Sequence, residues 1–136
     1  MRTLALDHGL ARIGCAVCDP SGTVVSPIEV IEPPDAEAAA ELVAAREVEL
    51  VVVGLPRGLS GREGEQAEHA RAFAAELAGL LGDRAPVETY DERLTTLMAR
   101  QSRLAGAGAA EDSLAAAHLL ESFLASRAAA GVSGDA

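Results

Sequence analysis

The chain has 136 residues and a mass of 13.9 kDa, close to the usual size of a single domain. Hydrophobic residues make up 49% and charged residues 24%, which excludes a largely disordered chain. Aromatic residues make up only 2%, which argues against recognition by stacking bases on aromatic platforms. All 11 basic residues are arginine and 21 residues are acidic, and the net charge of −10 does not favour non-specific binding of polyanions.

The first three strands are predicted to form an antiparallel meander. Residues 2–7, 12–18 and 23–31 are apolar and β-rich, with short connections between them. A helix is predicted over about 36–47. The continuous apolar run Leu50–Leu55 then predicts a strand that is buried on both faces.

The second half of the chain alternates helices and strands. Apolar residues at helical spacing predict a helix after a glycine-rich loop, and a short strand follows at Val87–Tyr90. Two more helices are predicted, one starting near Thr95 and one over about 111–129, with a flexible tail over 131–136. A meander followed by strand–helix units predicts one α/β domain, residues 1–130, with a mixed sheet flanked by helices.

Export and membrane insertion are not predicted. Asp7 comes too early for the apolar stretch of a secretory signal, and the longest apolar run is far shorter than the ~20 residues that a membrane helix requires. Cys15 and Cys18 form a CxxC pair, but a strand would point them to opposite faces, so we interpret both as small core residues. These features predict a cytoplasmic protein.

Acidic residues stand at positions where a core has no need of charge. Asp7 ends the first strand, and Asp112 lies in the first turn of the last predicted helix. The last strand is followed by Asp91 and Glu92. Strand carboxyl ends and helix starts meet at one rim of an open α/β sheet, so these carboxylates are predicted to cluster. Like charges in a cluster repel one another, and a divalent ion such as Mg²⁺ or Mn²⁺ would stabilise them. Taken singly, each residue has an ordinary structural role as a turn residue, a solvated strand end or a helix cap.

Four segments together resemble one family. The first of these segments, LALDHGLARIGCAVCD, is similar to the first motif of the YqgF/RuvX family. Members of this family are pre-16S rRNA nucleases related to Holliday-junction resolvases. The family's GLP loop resembles VVVGLPRGLSGREG, its DERLTT signature resembles TYDERLTT, and its terminal helix resembles DSLAAAHLLESFL. The resemblance runs in order over about residues 3–124. It implies an RNase H-like fold with a five-stranded mixed sheet in the order 3-2-1-4-5.

The same resemblance implies a metal-dependent nuclease site. Its ligands and catalytic residues would be Asp7, Glu92 and Asp112, with Asp7 bridging two ions and water attacking phosphorus in line. Asp91 and Glu111 are the second choices beside Glu92 and Asp112. The implied role is maturation of pre-16S rRNA in ribosome biogenesis, with structured RNA, branched DNA or ribosomal particles as partners.

Five arginines are candidates for binding substrate phosphates. Arg57 and Arg62 lie in the GLP loop, where backbone amides and arginine charge suit a phosphate, although such loops are also ordinary strand-to-helix connections. Arg93 and Arg100 fall near one face of the third predicted helix, a pattern that a salt-bridged exposed face explains equally well. Arg12 resembles an arginine of the family's first motif, and a fold-stabilising ion pair is its alternative role.

Two other functions are compatible with the sequence. The acidic balance and the uncharged segment 105–110 suit a non-catalytic RNA-binding or regulatory factor on the same fold. A strand ending in Asp-x-Gly also occurs in actin-like phosphotransferases, although this chain is too short for two such lobes. His8, beside Asp7, has two alternative roles, a hydrogen bond to substrate or to a water near the metal, or an ordinary structural role, whereas His69 and His118 have no assigned role.

Overall fold

The computed structural model describes residues 1–56, 64–91 and 111–134, and of residues 111, 112 and 129–134 it describes the backbone alone. In chain order the described elements are β1 (Thr3–His8), β2 (Ile13–Cys18), β3 (Val25–Ile31), α1 (Ala36–Ala45), β4 (Leu50–Leu55), α2 (Glu65–Leu81), β5 (Val87–Asp91) and α3 (Glu111–Gly134). The helix predicted to start near Thr95 lies outside the described residues. Among the described helices, none combines the length and the apolar character that crossing a membrane requires.

The five described strands form one mixed sheet in the order β3-β2-β1-β4-β5, which confirms the predicted strand order. β1, β2 and β3 pair antiparallel, as the predicted meander requires. β4 pairs parallel with both β1 and β5, and α2 joins β4 to β5 because a parallel pair needs a crossover connection. The carboxyl ends of β1, β4 and β5 therefore meet at one edge of the sheet.

The connection between β2 and β3 is closed by one aspartate. Asp19 Oδ2 accepts the Ser21 hydroxyl at 2.7 Å, and Oδ1 accepts the backbone N–H groups of Thr23 and Val24 at 2.8 and 2.9 Å. The Ser21 hydroxyl and these amides stabilise the ionised carboxylate and lower the pKa of Asp19 to about 2. This short turn keeps β2 and β3 adjacent.

Alternate side chains of each inner strand pack on opposite faces of the sheet. In β1, Leu4 and Leu6 join the apolar cluster under α1 and α2, whereas Ala5 joins the cluster under α3. Cys15 belongs to the first cluster and Cys18 to the second, and both are buried free thiols, which confirms the predicted orientation. Burial raises the pKa of the Cys15 thiol to about 12.

α3 covers one face of the sheet and is held to β5 along its second half. The hydroxyls of Tyr90 and Ser122 are 2.9 Å apart, and Arg127 Nη1 lies 3.1 Å from Glu88 Oε2. The helix continues to Gly134, past the predicted end near 129. The flexibility predicted for the tail stays a prediction.

Candidate active site

Asp7 lies at the carboxyl end of β1, the middle strand of the sheet, and is half-buried. By strand alternation it shares a face with Ala5, which packs under α3. Its partner on β2 is Gly14, and extending the β1–β4 register by one residue places Gly54 at the same level on the other side. Because neither glycine carries a side chain, neither neighbouring strand fills the space beside the Asp7 carboxylate on this face.

The first turn of α3 is attached to the sheet close to Asp7. The buried Ser113 hydroxyl accepts the Cys15 N–H at 3.4 Å and donates to the carbonyl oxygen of Ile28 at 2.6 Å. Cys15 follows Gly14, the residue that pairs with Asp7. The backbone preceding Ser113, which includes position 112, is thus brought to the face and the edge of the sheet where Asp7 lies.

Asp91 lies on the opposite face. It pairs with Leu55, which belongs to the apolar cluster under α1 and α2, and paired residues of parallel strands share a face. The preceding residue, Tyr90, packs instead in the cluster under α3. Asp91 and Asp7 are therefore separated by the sheet, which makes Asp91 a poor partner for Asp7.

Most of the other predicted site residues cannot be placed. Arg57, Arg62, Glu92, Arg93 and Arg100 lie outside the described residues, and so does the side chain of Asp112 and of its alternative, Glu111. Within the described ranges, no three His, Cys, Asp or Glu side chains come together as a metal site, and of the predicted ligands those ranges include only the side chain of Asp7. A half-buried carboxylate with glycine on both sides fits an oxygen-preferring divalent ion.

Arg12 lies immediately before β2, close in sequence to Asp7. Its Nη2 atom is 3.3 Å from Glu32 Oε2, and both side chains are exposed. An exposed ion pair of this kind contributes at most about 1 kcal/mol to folding. The contact corresponds to the alternative role predicted for this arginine and leaves its role in substrate binding as a prediction.

A cleft that the sequence analysis missed opens on the other side of β1. His8 points away from Asp7, toward α2, and its ring centroid lies 4.9 Å from that of Phe73. The cleft has a volume of about 280 Å³, and its lining also includes Asp35, His69 and Glu76. Burial and the neighbouring His69 lower the pKa of His8. The sequence did contain a signal for this cleft. Positions 69, 73 and 76 are spaced to share one face of a helix, and alternation along β1 places His8 on the face of the sheet that this helix covers.

Comparison with known proteins identifies the family. The model of the family described as "RuvX: Holliday junction resolvase" matches residues 1–126. A protein of Pelotomaculum thermopropionicum named "Putative pre-16S rRNA nuclease" is 44% identical over 135 residues, covering 91% of this chain and 86% of its own. A protein of the same name from Anaeromyxobacter sp. strain K is 40% identical, covering 94% and 99%.

The solved structures confirm the predicted RNase H-like fold of the resolvase type. The structure described as "T. thermophilus RuvC in complex with Holliday junction substrate" superposes with a TM-score of 0.63 at 18% identity, covering 94% of this chain and 96% of that one. A second structure, "Thermus thermophilus RuvC structure", has a TM-score of 0.58 at 17% identity and covers 94% and 97%. With its matching motifs, sheet order and family model, the chain belongs to the RuvX Holliday junction resolvase family.

Proposed function

We propose that this chain is a metal-dependent endonuclease that hydrolyses phosphodiester bonds, with Asp7, Glu92 and Asp112 as its catalytic, metal-binding carboxylates. One observation carries the proposal: Asp7 and the first turn of α3, which are far apart in the chain, meet on one face at the carboxyl edge of the sheet. Members of the family are named as nucleases, which supports the same reaction class.

The choice of Glu92 over Asp91 follows from strand alternation. Tyr90 packs on the face that carries Asp7, and Asp91 belongs to the opposite face. Period-two alternation predicts the Asp7 face for the residue that follows Asp91, which is Glu92. Glu92 is therefore the proposed ligand, and Asp112 takes precedence over Glu111 because it directly precedes the anchored Ser113.

The metal we propose is Mg²⁺ or Mn²⁺, both of which prefer carboxylate oxygens. When bound, such an ion supplies positive charge to phosphate oxygens and lowers the pKa of a coordinated water. The chain's own contribution is positioning. Asp7 is fixed by the central strand, Gly14 and Gly54 leave room beside it, and Ser113 holds the start of α3 against β2.

The proposed substrate is structured RNA, the 5′ region of pre-16S rRNA within cytoplasmic ribosomal particles, with branched DNA as the second substrate. The name of the relatives supports the first and the family description supports the second. Residues 1–130 form the proposed nuclease domain. Its phosphate contacts would come from five arginines: Arg12, Arg57, Arg62, Arg93 and Arg100.

Cleavage assays with one substitution test the proposal. Purified protein should cleave a pre-16S rRNA leader or a four-way DNA junction with Mg²⁺ or Mn²⁺ and not with EDTA. Asp7→Asn should lower the rate at least about a hundredfold, since it weakens a metal site whose contribution is several kcal/mol. Asp83→Asn is the matched control, because Asp83 is an exposed carboxylate between α2 and β5. Circular dichroism should show the same fold for all three proteins.

Two outcomes oppose the proposal. Cleavage that survives Asp7→Asn overturns the assignment of the site. RNA binding that is unaffected by Asp7→Asn, without any cleavage in the presence of either metal, supports instead the non-catalytic RNA-binding factor.

A further inference from the structure

The cleft lined by His8, which we call the His8 cleft, has a position and a chemistry that the carboxylate site does not use. It lies one residue along β1 from Asp7, on the opposite face, between β1 and the helices α1 and α2. Its volume of about 280 Å³ is just below the ~300–1,000 Å³ typical of small-molecule pockets, which suits a ligand of a few ring atoms.

The lining of the His8 cleft disfavours other ligands. Phosphate would meet two carboxylates, those of Asp35 and Glu76, and would be repelled. A metal ion would need three suitable ligands, and the described residues contain no such group. A purely apolar ligand would find no counterpart to the polar side chains of His69 and Glu76, both of which are exposed to solvent.

The same lining suits a planar heterocycle that donates hydrogen bonds. The His8 ring packs against Phe73, which is only 6% exposed, so the imidazole is held as a flat platform at the wall of the cleft. A histidine ring stacks on bases as other aromatic side chains do, so the low count of Phe, Trp and Tyr does not exclude stacking here. The Asp35 carboxylate is engaged through Oδ1 in capping α1, where it accepts the Glu37 N–H at 3.0 Å.

We propose that the His8 cleft binds an unpaired guanine of the nucleic-acid substrate, with the base stacked on His8 and its edge hydrogen-bonded to Glu76. Guanine offers two adjacent N–H donors that one carboxylate accepts together, which uracil does not. The proposal rests on the proposed function, because the base belongs to the strand that the carboxylate site would cleave. The cleft would add base specificity to a metal site that by itself contacts only the phosphate backbone.

The test is a binding measurement in EDTA, in which cleavage plays no part. The probes are RNA hairpins that carry a single bulged G, A, U, C or inosine, titrated by fluorescence anisotropy. The G hairpin should bind at least about fivefold more tightly than the U and inosine hairpins, since a bidentate contact to a base discriminates at this level or above. Inosine lacks the 2-amino group and so isolates the contact to Glu76.

Two pairs of variants separate the contacts from general charge effects. Glu76→Gln should abolish the preference for G, whereas Glu65→Gln, the same charge change elsewhere on α2, should keep it even if all affinities rise. His8→Phe should keep the preference through stacking, and His8→Ala should reduce the affinity for every bulged hairpin relative to an unbulged one.

Three results overturn the inference: equal affinity for all bulged bases, a G preference that survives Glu76→Gln, or no measurable binding of any hairpin. Cleavage with Mg²⁺ or Mn²⁺ is scored separately. Cleavage without a G preference refutes the base site and leaves the nuclease proposal intact. A G preference without cleavage supports the base site and opposes the nuclease proposal.

Discussion

Ser113→Ala should both destabilise the protein and impair the proposed active site. Ser113 is 1% exposed, and its hydroxyl satisfies the Cys15 N–H and the Ile28 carbonyl oxygen. Removing it leaves one buried N–H and one part-buried carbonyl oxygen without this partner. We expect the free energy of unfolding to fall by about 2–3 kcal/mol. The 2.6 Å contact should account for most of this loss and the 3.4 Å contact for less.

Urea unfolding followed by circular dichroism measures this change. The midpoint should fall without a change in slope, and the thermal midpoint should drop by roughly 6–15 °C for a chain of this size. Cleavage should fall about tenfold or more beyond the loss of folded protein, because the start of α3 is no longer held beside Asp7.

The matched control is Ser122→Ala on the same helix. Ser122 is 5% exposed and shares a hydrogen bond with Tyr90, far along α3 from its first turn. We expect a loss of about 1 kcal/mol and unchanged cleavage by the folded protein. A loss below about 0.5 kcal/mol for Ser113→Ala, or an equal loss of cleavage in both variants, would contradict the role of Ser113 in holding the start of α3.

Three further predictions concern the stability and the burial of the strands, turns and helices around the site. The stabilising effect of Asp19 should be complete above its unfolded pKa of about 4 and disappear as the pH falls toward 2, so urea unfolding of wild type and Asp19→Asn should converge in that window. Because burial raises the Cys15 pKa to about 12, this thiol should resist iodoacetamide at about pH 8 in the native protein and react once unfolded, as mass spectrometry of its peptide would show; rapid native labelling would contradict its burial. Gly9→Ala should cost about 1–3 kcal/mol in thermal unfolding, because a Cβ would lie 2.9 Å from a backbone carbonyl, whereas Gly79→Ala in α2 meets open space and should stabilise by up to about 1 kcal/mol; equal effects would contradict this packing.

The meander and the mixed character of the sheet were accessible from the sequence because local patterns predict them, whereas the full strand order was implied by the family resemblance. Two short turns connect the first three apolar segments, which leaves an antiparallel meander as the simplest arrangement. The doubly buried run Leu50–Leu55 then has to be an inner strand, and the structure places it between β1 and β5. The position of Asp7 at the end of the first strand follows from the same local pattern, and the central place of that strand from the resemblance.

Contacts between distant parts of the chain were not accessible. In the sequence, Ser113 is an ordinary residue at the start of a helix. Its hydrogen-bond partners, Cys15 and Ile28, are 98 and 85 residues away along the chain. The His8 cleft was missed because its lining combines residues of β1, α1 and α2, although the helical spacing in α2 and the alternation in β1 were visible in the sequence. Alternation did, however, supply the criterion that separates Asp91 from Glu92.

Anomalous X-ray diffraction from crystals soaked in MnCl₂ would locate the metal site itself. We expect manganese bound within about 2.5 Å of carboxylate oxygens from Asp7, Glu92 and Asp112 together, at the carboxyl edge of the sheet. Manganese bound elsewhere, or carboxylates of these three residues exposed on separate surfaces, would contradict it.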